Sequence, residues 1–453
     1  MNPSTDAAPG TGLVARLSGA ARRTVRQYQQ LGAVPGTRRL LLAATGSYIG
    51  DRFNTIALIA LSYKLGDGAL GVGVMLALFM LPRSLIQAPA GALVDRHPGP
   101  RLLILSHVLL GVLGAAFALL DAIPNVWFLY GLVLAMGTVR TVAMPAFEVQ
   151  LMAVTPPEQY GTANALHTMA RTMGELVGPL LGGLLLALTG AIPLFLLNGL
   201  SFLLVAGAVL RGRRAATTAE GLVSHEPEAA PAGGLSYRAL LRDREVMLHI
   251  ALTVTNYALV MGAIAIFVVR ARALGLGDAG VGLFYAALGI GALVGGLVAG
   301  AGNYQGSRVF AMAAGAAVVG AVGIALFGVA GGVLLAMAAL VLNGVTGDLE
   351  EVAALTGFQH RLPAAVYGRF FSLFLMATGL GGVIGSLVGP ALAEEMGAGA
   401  SLTLLAVPVV ALAVPWGLHA SLSGHRLPAP TLVPALNPRW SATDSSGCHP
   451  RAT

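Results

Sequence analysis

The sequence predicts an all-α membrane protein: twelve transmembrane helices in two six-helix halves related by pseudo-symmetry. Three observations lead there. The 453 residues are 56% hydrophobic and only 10% charged, with a mean hydropathy of +0.78, whereas a soluble domain carries roughly a quarter charged residues. The apolar runs are mostly unbroken over about 20 residues, the length of a bilayer-crossing helix, where barrel strands would alternate over about ten. Finally, features of the first half return some 207 residues later.

Residues 1–38 read as a basic cytoplasmic arm. They hold no apolar core before a small-residue cleavage site, so the first helix is expected to be the first insertion signal. Leu13, Leu17, Ala21, Val25 and Tyr28 fall at helical spacing, with Arg16, Arg22, Arg23 and Arg26 pointing elsewhere. An interfacial helix and a partly disordered arm both fit that pattern. The first half, 39–212, carries apolar spans near 40–63, 69–93, 102–121, 126–149, 163–187 and 193–211. Residues 213–244, with "AEGLVSHEPEAAPAGG", read as a flexible cytoplasmic linker. Its end, "SYRALLRDREVML", is expected on the membrane surface. The second half, 245–421, has spans near 246–268, 279–301, 309–328, 332–356, 370–392 and 400–420, and 422–453 is a cytoplasmic tail. The only cysteine, Cys448, lies in that tail beside His449, so no disulfide framework or cysteine metal site forms within one chain.

The net charge of +7 follows from topology rather than from nucleic-acid binding. With both termini inside, 20 of the 27 Lys and Arg are cytoplasmic, three are outside (Lys64, Arg270, Arg272) and four lie in the membrane. That is a strong positive-inside bias, and no basic module stands apart from the loops.

The repeat is visible in short segments. "YGTANAL" at 160 corresponds to "YGRFFSL" at 367, and at that offset Gly174, Gly178 and Gly182 fall on Gly381, Gly385 and Gly389. "LGVGVMLAL" at 70 matches "AGVGLFYAA" at 279. Parallel halves with a midplane site between them are a transporter plan. In helix five, Gly174, Gly178 and Gly182 share a face that another backbone can approach closely. His167, Arg171 and Glu175 form a second stripe about 100° round. Pro179 removes the intrahelical partner of the Glu175 carbonyl, so the helix can bend beside a charge. A mutually neutralising Arg171–Glu175 pair is one reading of those charges.

These residues carry a resemblance. Gly174-x-x-x-Gly178-Pro179-x-x-Gly182-Gly183 resembles the fifth-helix motif of the major facilitator superfamily, found chiefly in its proton-coupled exporters. "GALVDRHPGPR" resembles that superfamily's helix 2–3 motif through Gly91, Asp95, Arg96, Gly99 and Arg101, with a one-residue departure in spacing and with Pro98 and Pro100 at unusual places. "GDRFNTIALIALSYKL", "PAFEVQLMAVTPPEQYGTANAL" and "LPAAVYGRFFSLF" are similar to the enterobactin-exporter-like branch. The resemblance covers about 40–400. It implies that the helix 2–3 loop is a latch, with Asp95 by the start of helix eleven near Gly368 and Arg369. The repeat copy, "AGAGNYQGSR", lacks the acid, so that latch is asymmetric.

The resemblance also implies that helices one, four, seven and ten line the cavity. That places Asp51 and Asn54, Arg140, Asn256 and Tyr257, and Asp348 and Glu351 on it, with Glu350 pointing away. Ten charges lie in the membrane: Arg52, Arg83, Arg140 and Arg171, against Asp51, Glu148, Glu175, Asp348, Glu350 and Glu351. A carboxylate isolated from water tends to take up a proton, so one exposed alternately to each side is a proton carrier. Arg140 and Asp348 occupy nearly equivalent repeat positions and are expected to pair across the cavity in one state. Arg83 after Pro82 fills a kink or serves the cavity. Met144 and Phe147 read as packing or cavity lining.

The expectation is therefore a monomeric secondary transporter of the cytoplasmic membrane. It exports a small amphipathic drug, siderophore or metabolite in exchange for protons, without metal or cofactor. A proton-coupled importer and a non-transporting receptor or scaffold are the alternatives. An ATP pump is excluded, since a P-loop needs Gly-Lys-Ser/Thr and the only lysine, Lys64, precedes Leu65. No enzymatic constellation stands out.

Overall fold

A computed structural model of the chain describes residues 33–97, 99–156, 159–217, 240–277, 279–301, 308–362 and 364–422. The expectations for most of the basic arm, the linker centre, the second copy of the latch loop and the tail with Cys448 and His449 lie outside them. Among the described residues the structure is helical, without strands. The first half comprises α1 (Pro35–Leu65), α2 (Gly68–Arg96), α3 (Gly99–Ala116, continued by a 3-10 turn), α4 (Val126–Ala153), α5 (Tyr160–Thr189) and α6 (Ala191–Thr217). The second comprises α7 (Arg244–Ala265), α8 (Gly280–Ala301), α9 (Arg308–Val329), α10 (Val333–Arg361), α11 (Ala364–Met396) and α12 (Ala398–Leu422). Eleven of the twelve are long and apolar enough to cross a membrane; α1, with Asp51, Arg52 and Asn54 at its centre, is not among them. Its 31 residues still span about 46 Å at ~1.5 Å per residue. The helices outrun the apolar runs in the sequence, because a hydropathy pattern ends at the hydrocarbon edge and a helix need not.

Local chemistry sets several ends. Asn125 caps α4, its side-chain oxygen accepting from the backbone N–H of Trp127 and Phe128. Asp243 caps α7 in the same way and is also gripped by Arg361, whose Nη2 lies 3.1 and 3.0 Å from its two oxygens. The seventh span, expected to run unbroken to 268, instead stops at Ala265 and resumes as a short helix, Phe267–Ala273. The break turns Arg270 onto the carbonyls of Phe327, near the end of α9, and Ala330, just beyond it, at 3.2 and 2.5 Å. It also sets Phe267 among Phe284, Tyr285 and Phe327.

The repeat is a repeat of packing. The glycine row of α5 lies on α1: a Cβ at Gly174 would sit 2.6 Å from Tyr48 Cβ, and one at Gly178 2.5 Å from Arg52 Cβ. The equivalent row of α11 lies on α7, Gly381 against Val254 and Tyr257, Gly385 against the carbonyl of Ala258, Gly389 against Gly262. Small residues allow this backbone-to-backbone approach.

The halves meet on two seams, α2 against α11 and α5 against α8. Both seams are tight toward the end remote from the chain termini. There Gly73 packs on Ser386 and Pro390, Gly282 on Pro179 and Gly183, and Arg272 stacks over the Tyr63 ring at 4.4 Å. At mid-helix a Cβ on Gly379 would meet Ser84 Oγ at 2.5 Å. Toward the termini, a Cβ on Gly91 of α2 or on Gly368 of α11 would meet no described residue within 4 Å. Among the described residues the bundle is thus sealed at one end and parted at the other.

Candidate functional site

A cavity of about 330 Å³ lies between the halves. α1 supplies Tyr48, Asp51, Arg52 and Asn54; α2 supplies Met75, Phe79, Met80, Arg83 and Gln87; α4 supplies Met136, Arg140 and Met144. Arg171 and Glu175 come from α5, Met261 from α7 and Tyr285 from α8. An adjoining recess of about 80 Å³ shares Tyr48, Asp51, Arg140, Met144 and Arg171 and reaches His107, Glu148 and His167.

Two ion pairs stand on the wall. Arg140 Nη1 donates to Asp51 Oδ1 at 2.5 Å, and Arg52 Nη2 to Glu175 Oε1 at 3.0 Å. Adjacent residues of α1 therefore bind different helices, because a turn of about 100° per residue sends Asp51 to α4 and Arg52 to α5. In the state shown, Arg140 pairs inside its own half with Asp51, where the sequence expectation is a pair with Asp348 across the cavity in one state of the cycle. A second expectation is corrected. Glu175 pairs with Arg52 and not with Arg171 four residues away, because α5 lies against α1 closely enough for an inter-helix pair. A third cluster continues along the recess: the Tyr48 hydroxyl hydrogen-bonds His167 Nε2, and His167 Nδ1 lies 3.4 Å from Glu148 Oε1.

Of the residues expected at the cavity, Asp51, Asn54 and Arg140 line it. Asn54 donates to Met136 Sδ at 3.5 Å, and its own carbonyl oxygen has no partner. Asn256, Tyr257, Asp348 and Glu351 are not among its lining residues; they lie on α7 and α10 of the second half. The Tyr257 hydroxyl donates to Glu351 Oε2 at 3.4 Å, Glu350 is buried near Asn256, and Asp348 faces Gly296 of α8.

In helix five, the Glu175 carbonyl freed by Pro179 faces Gly289 of α8, where a Cβ would come within 2.9 Å of it. Gly182 faces Phe53, and Gly183 meets Gly282 across the seam. Gly91 closes no contact, Arg96 and Arg101 are exposed, and Gly99 begins α3. The side chain of Asp95 lies outside the described residues, as does any latch contact it makes.

Sequence reasoning missed the contribution of α2. Its signal was available: Met75, Phe79, Arg83 and Gln87 follow one another four residues apart, one helical stripe with a charge in it.

The Major Facilitator Superfamily pattern matches residues 40–386. A protein described as the uncharacterized MFS-type transporter YfiS of Bacillus subtilis (strain 168) is 24% identical over 372 residues, spanning 80% of this chain and 88% of that one. A protein provisionally named multidrug resistance protein MdtD, from Escherichia fergusonii, is 28% identical over 163 residues; the match spans 35% of this chain and only 34% of that one. Among solved structures, a bacterial homolog of the human lysosomal transporter Spinster, inward-facing and unoccupied, superposes with a TM-score of 0.64 at 15% identity over 87% of this chain and 99% of that one. The nucleoside transporter NupG gives 0.60 at 12% identity over 85% and 99%. At such identities the structural likeness bears on fold alone.

Proposed function

The chain belongs to the major facilitator superfamily, and from that premise we propose that it exports a small amphipathic compound in exchange for protons, working as a monomer by alternating access. It is a multi-pass membrane transporter and not an enzyme. We place it in the cytoplasmic membrane with both termini inside, which makes the parted end the cytoplasmic one. The positive-inside count supports that orientation. Export is supported by the helix-five motif and by the multidrug name given to MdtD. Membership of the enterobactin-exporter-like branch rests on the sequence segments alone and remains part of this proposal.

The observation that carries the reading is the Asp51–Arg140 pair on the cavity wall. Its carboxylate lines the cavity, and a single guanidinium balances its charge. A proton arriving there ends the pair and frees α1 from α4. Ionisable groups inside a membrane bundle mark proton and substrate pathways. This reading gives the coupling role to Asp51, with Glu175 beside it, rather than to Asp348 on α10.

The test uses a pump-deficient bacterial host expressing wild type, Asp51→Asn or Asp348→Asn at matched levels, scored for survival on toxic amphipathic compounds with and without an uncoupler. Resistance in wild type and Asp348→Asn, absent from Asp51→Asn and abolished by the uncoupler, is the expected result. Resistance that survives the uncoupler overturns proton coupling. Greater sensitivity of expressing cells, reflecting accumulation, overturns export in favour of import.

A further inference from the structure

The charges around the cavity do not balance. Four guanidiniums line it, from Arg52, Arg83, Arg140 and Arg171, against two carboxylates, Asp51 and Glu175. Both carboxylates are already committed, to Arg140 and Arg52. Neither Arg83 nor Arg171 makes an ion pair or hydrogen bond with a described residue. Other acids act on them without pairing: Glu351 acts on both arginines but accepts from Tyr257, Glu148 is turned to His167, and Asp348, beside Gly296 of α8, acts on Arg171 without an ion pair.

A second observation is independent of the count. One aromatic face that would attract a cationic substrate, Phe79, is already used: the Arg140 guanidinium lies 5.8 Å from its centroid. The lining is also compliant, with five methionines, Met75, Met80, Met136, Met144 and Met261. Thioether side chains adapt to varied apolar shapes. An unpaired guanidinium offers a planar fork of N–H donors that fits a carboxylate, sulfonate or phosphate edge.

We propose that this cavity selects amphipathic anions, the acidic group held by Arg83 and Arg171 and the apolar body lying on the methionines. The proposal rests on the transporter reading only in taking the cavity as the substrate site, and it names the charge of the substrate.

The test is equilibrium binding to full-length protein in nanodiscs, with empty discs subtracted. Three naphthalene probes are compared: the anion 8-anilinonaphthalene-1-sulfonate, its sulfonate-free analogue N-phenyl-1-naphthylamine and the cation 1-naphthylmethylammonium. Wild type is expected to bind the anion tighter than the neutral analogue by about tenfold or more, the scale of one charge-assisted hydrogen bond. That preference is expected to collapse in Arg83→Gln/Arg171→Gln and to persist in part in Arg83→Lys/Arg171→Lys. Arg171 is exposed, so Arg171→Gln alone carries the test should the double variant not fold. Equal or tighter binding of the neutral or cationic probe, an undiminished preference in the glutamine variants, or no binding of any probe overturns the proposal. The survival assay reads direction and coupling separately and can succeed where this one fails.

Discussion

The two halves share a scaffold and divide the chemistry. In the first half, the face where α1, α4 and α5 meet opens on the cavity and carries both inter-helix charge pairs of the wall. In the second half, the repeat-equivalent residues of α7 and α10, Tyr257 and Glu351, bond to each other and do not line that cavity. Tyr48 of α1 and Tyr257 of α7 mark the contrast: both lie under a glycine of the packing row, but Tyr48 lines the cavity and Tyr257 does not. Deeper in the second half, His249 is fully buried among Phe358, Phe370, Phe374 and Trp416, with neither ring nitrogen hydrogen-bonded. Repetition fixes how helices pack, through small residues at set spacing. It leaves each half free to place its charges toward the cavity or toward its own interior.

The strongest test of shared packing is Gly385→Leu set beside Gly178→Leu. Each puts a side chain where a backbone or a Cβ already lies. Overpacking costs about 1–3 kcal/mol or more even when neighbours can yield, and a backbone cannot. Both variants are expected to lose monodisperse protein on size-exclusion after extraction; survival of one alone would mean that the repeat does not extend to packing.

Next in size is the second half's own pair. Asp243→Ala removes the α7 cap and strands the buried Arg361, a loss of about 3–5 kcal/mol for a broken buried pair. A large fall in thermal midpoint with unchanged probe binding in the folded fraction is expected. Altered binding would break the division of labour. Third, Asp51→Asn is expected to lower uncoupler-sensitive transport by about tenfold, the scale of one lost charge-assisted contact, while Asp348→Asn stays close to wild type. The reverse order would return the coupling role to α10. Smallest is His249→Phe, which exchanges one buried ring for another where no hydrogen bond is lost. The shift is expected to stay within about 1 kcal/mol, read as the thermal midpoint; a collapse of transport would show that the buried imidazole serves the cycle.

The sequence made the scaffold legible because hydropathy and glycine spacing are one-dimensional records of packing. Twelve spans, the two-half plan and the row Gly174, Gly178, Gly182 could be read directly. The site was legible only where a charge interrupts an apolar run, as with Asp51 and Arg140. Its partners were not, since the choice between Asp51 and Asp348 for Arg140 depends on how far the halves have rotated. Equivalence in the repeat gives depth in the membrane, not contact. The contribution of α2 was hidden for a related reason: a symmetric cavity is lined by helices one, four, seven and ten, and a bundle sealed at one end is not symmetric about its site.

The charged centre of α1 has a consequence for synthesis. This helix leaves the ribosome before the others, yet Asp51 waits 89 residues for Arg140 and Arg52 waits 123 for Glu175. At roughly 5–20 residues per second, the first wait lasts several seconds at least. During it, each charge at the centre of a lone helix opposes insertion by about 2.5–3.5 kcal/mol. α1 is therefore a poor membrane anchor until α4 and α5 arrive. The first half has to be assembled as a unit, and a nascent chain stopped short of α5 should be a ready substrate for the membrane's quality-control proteases.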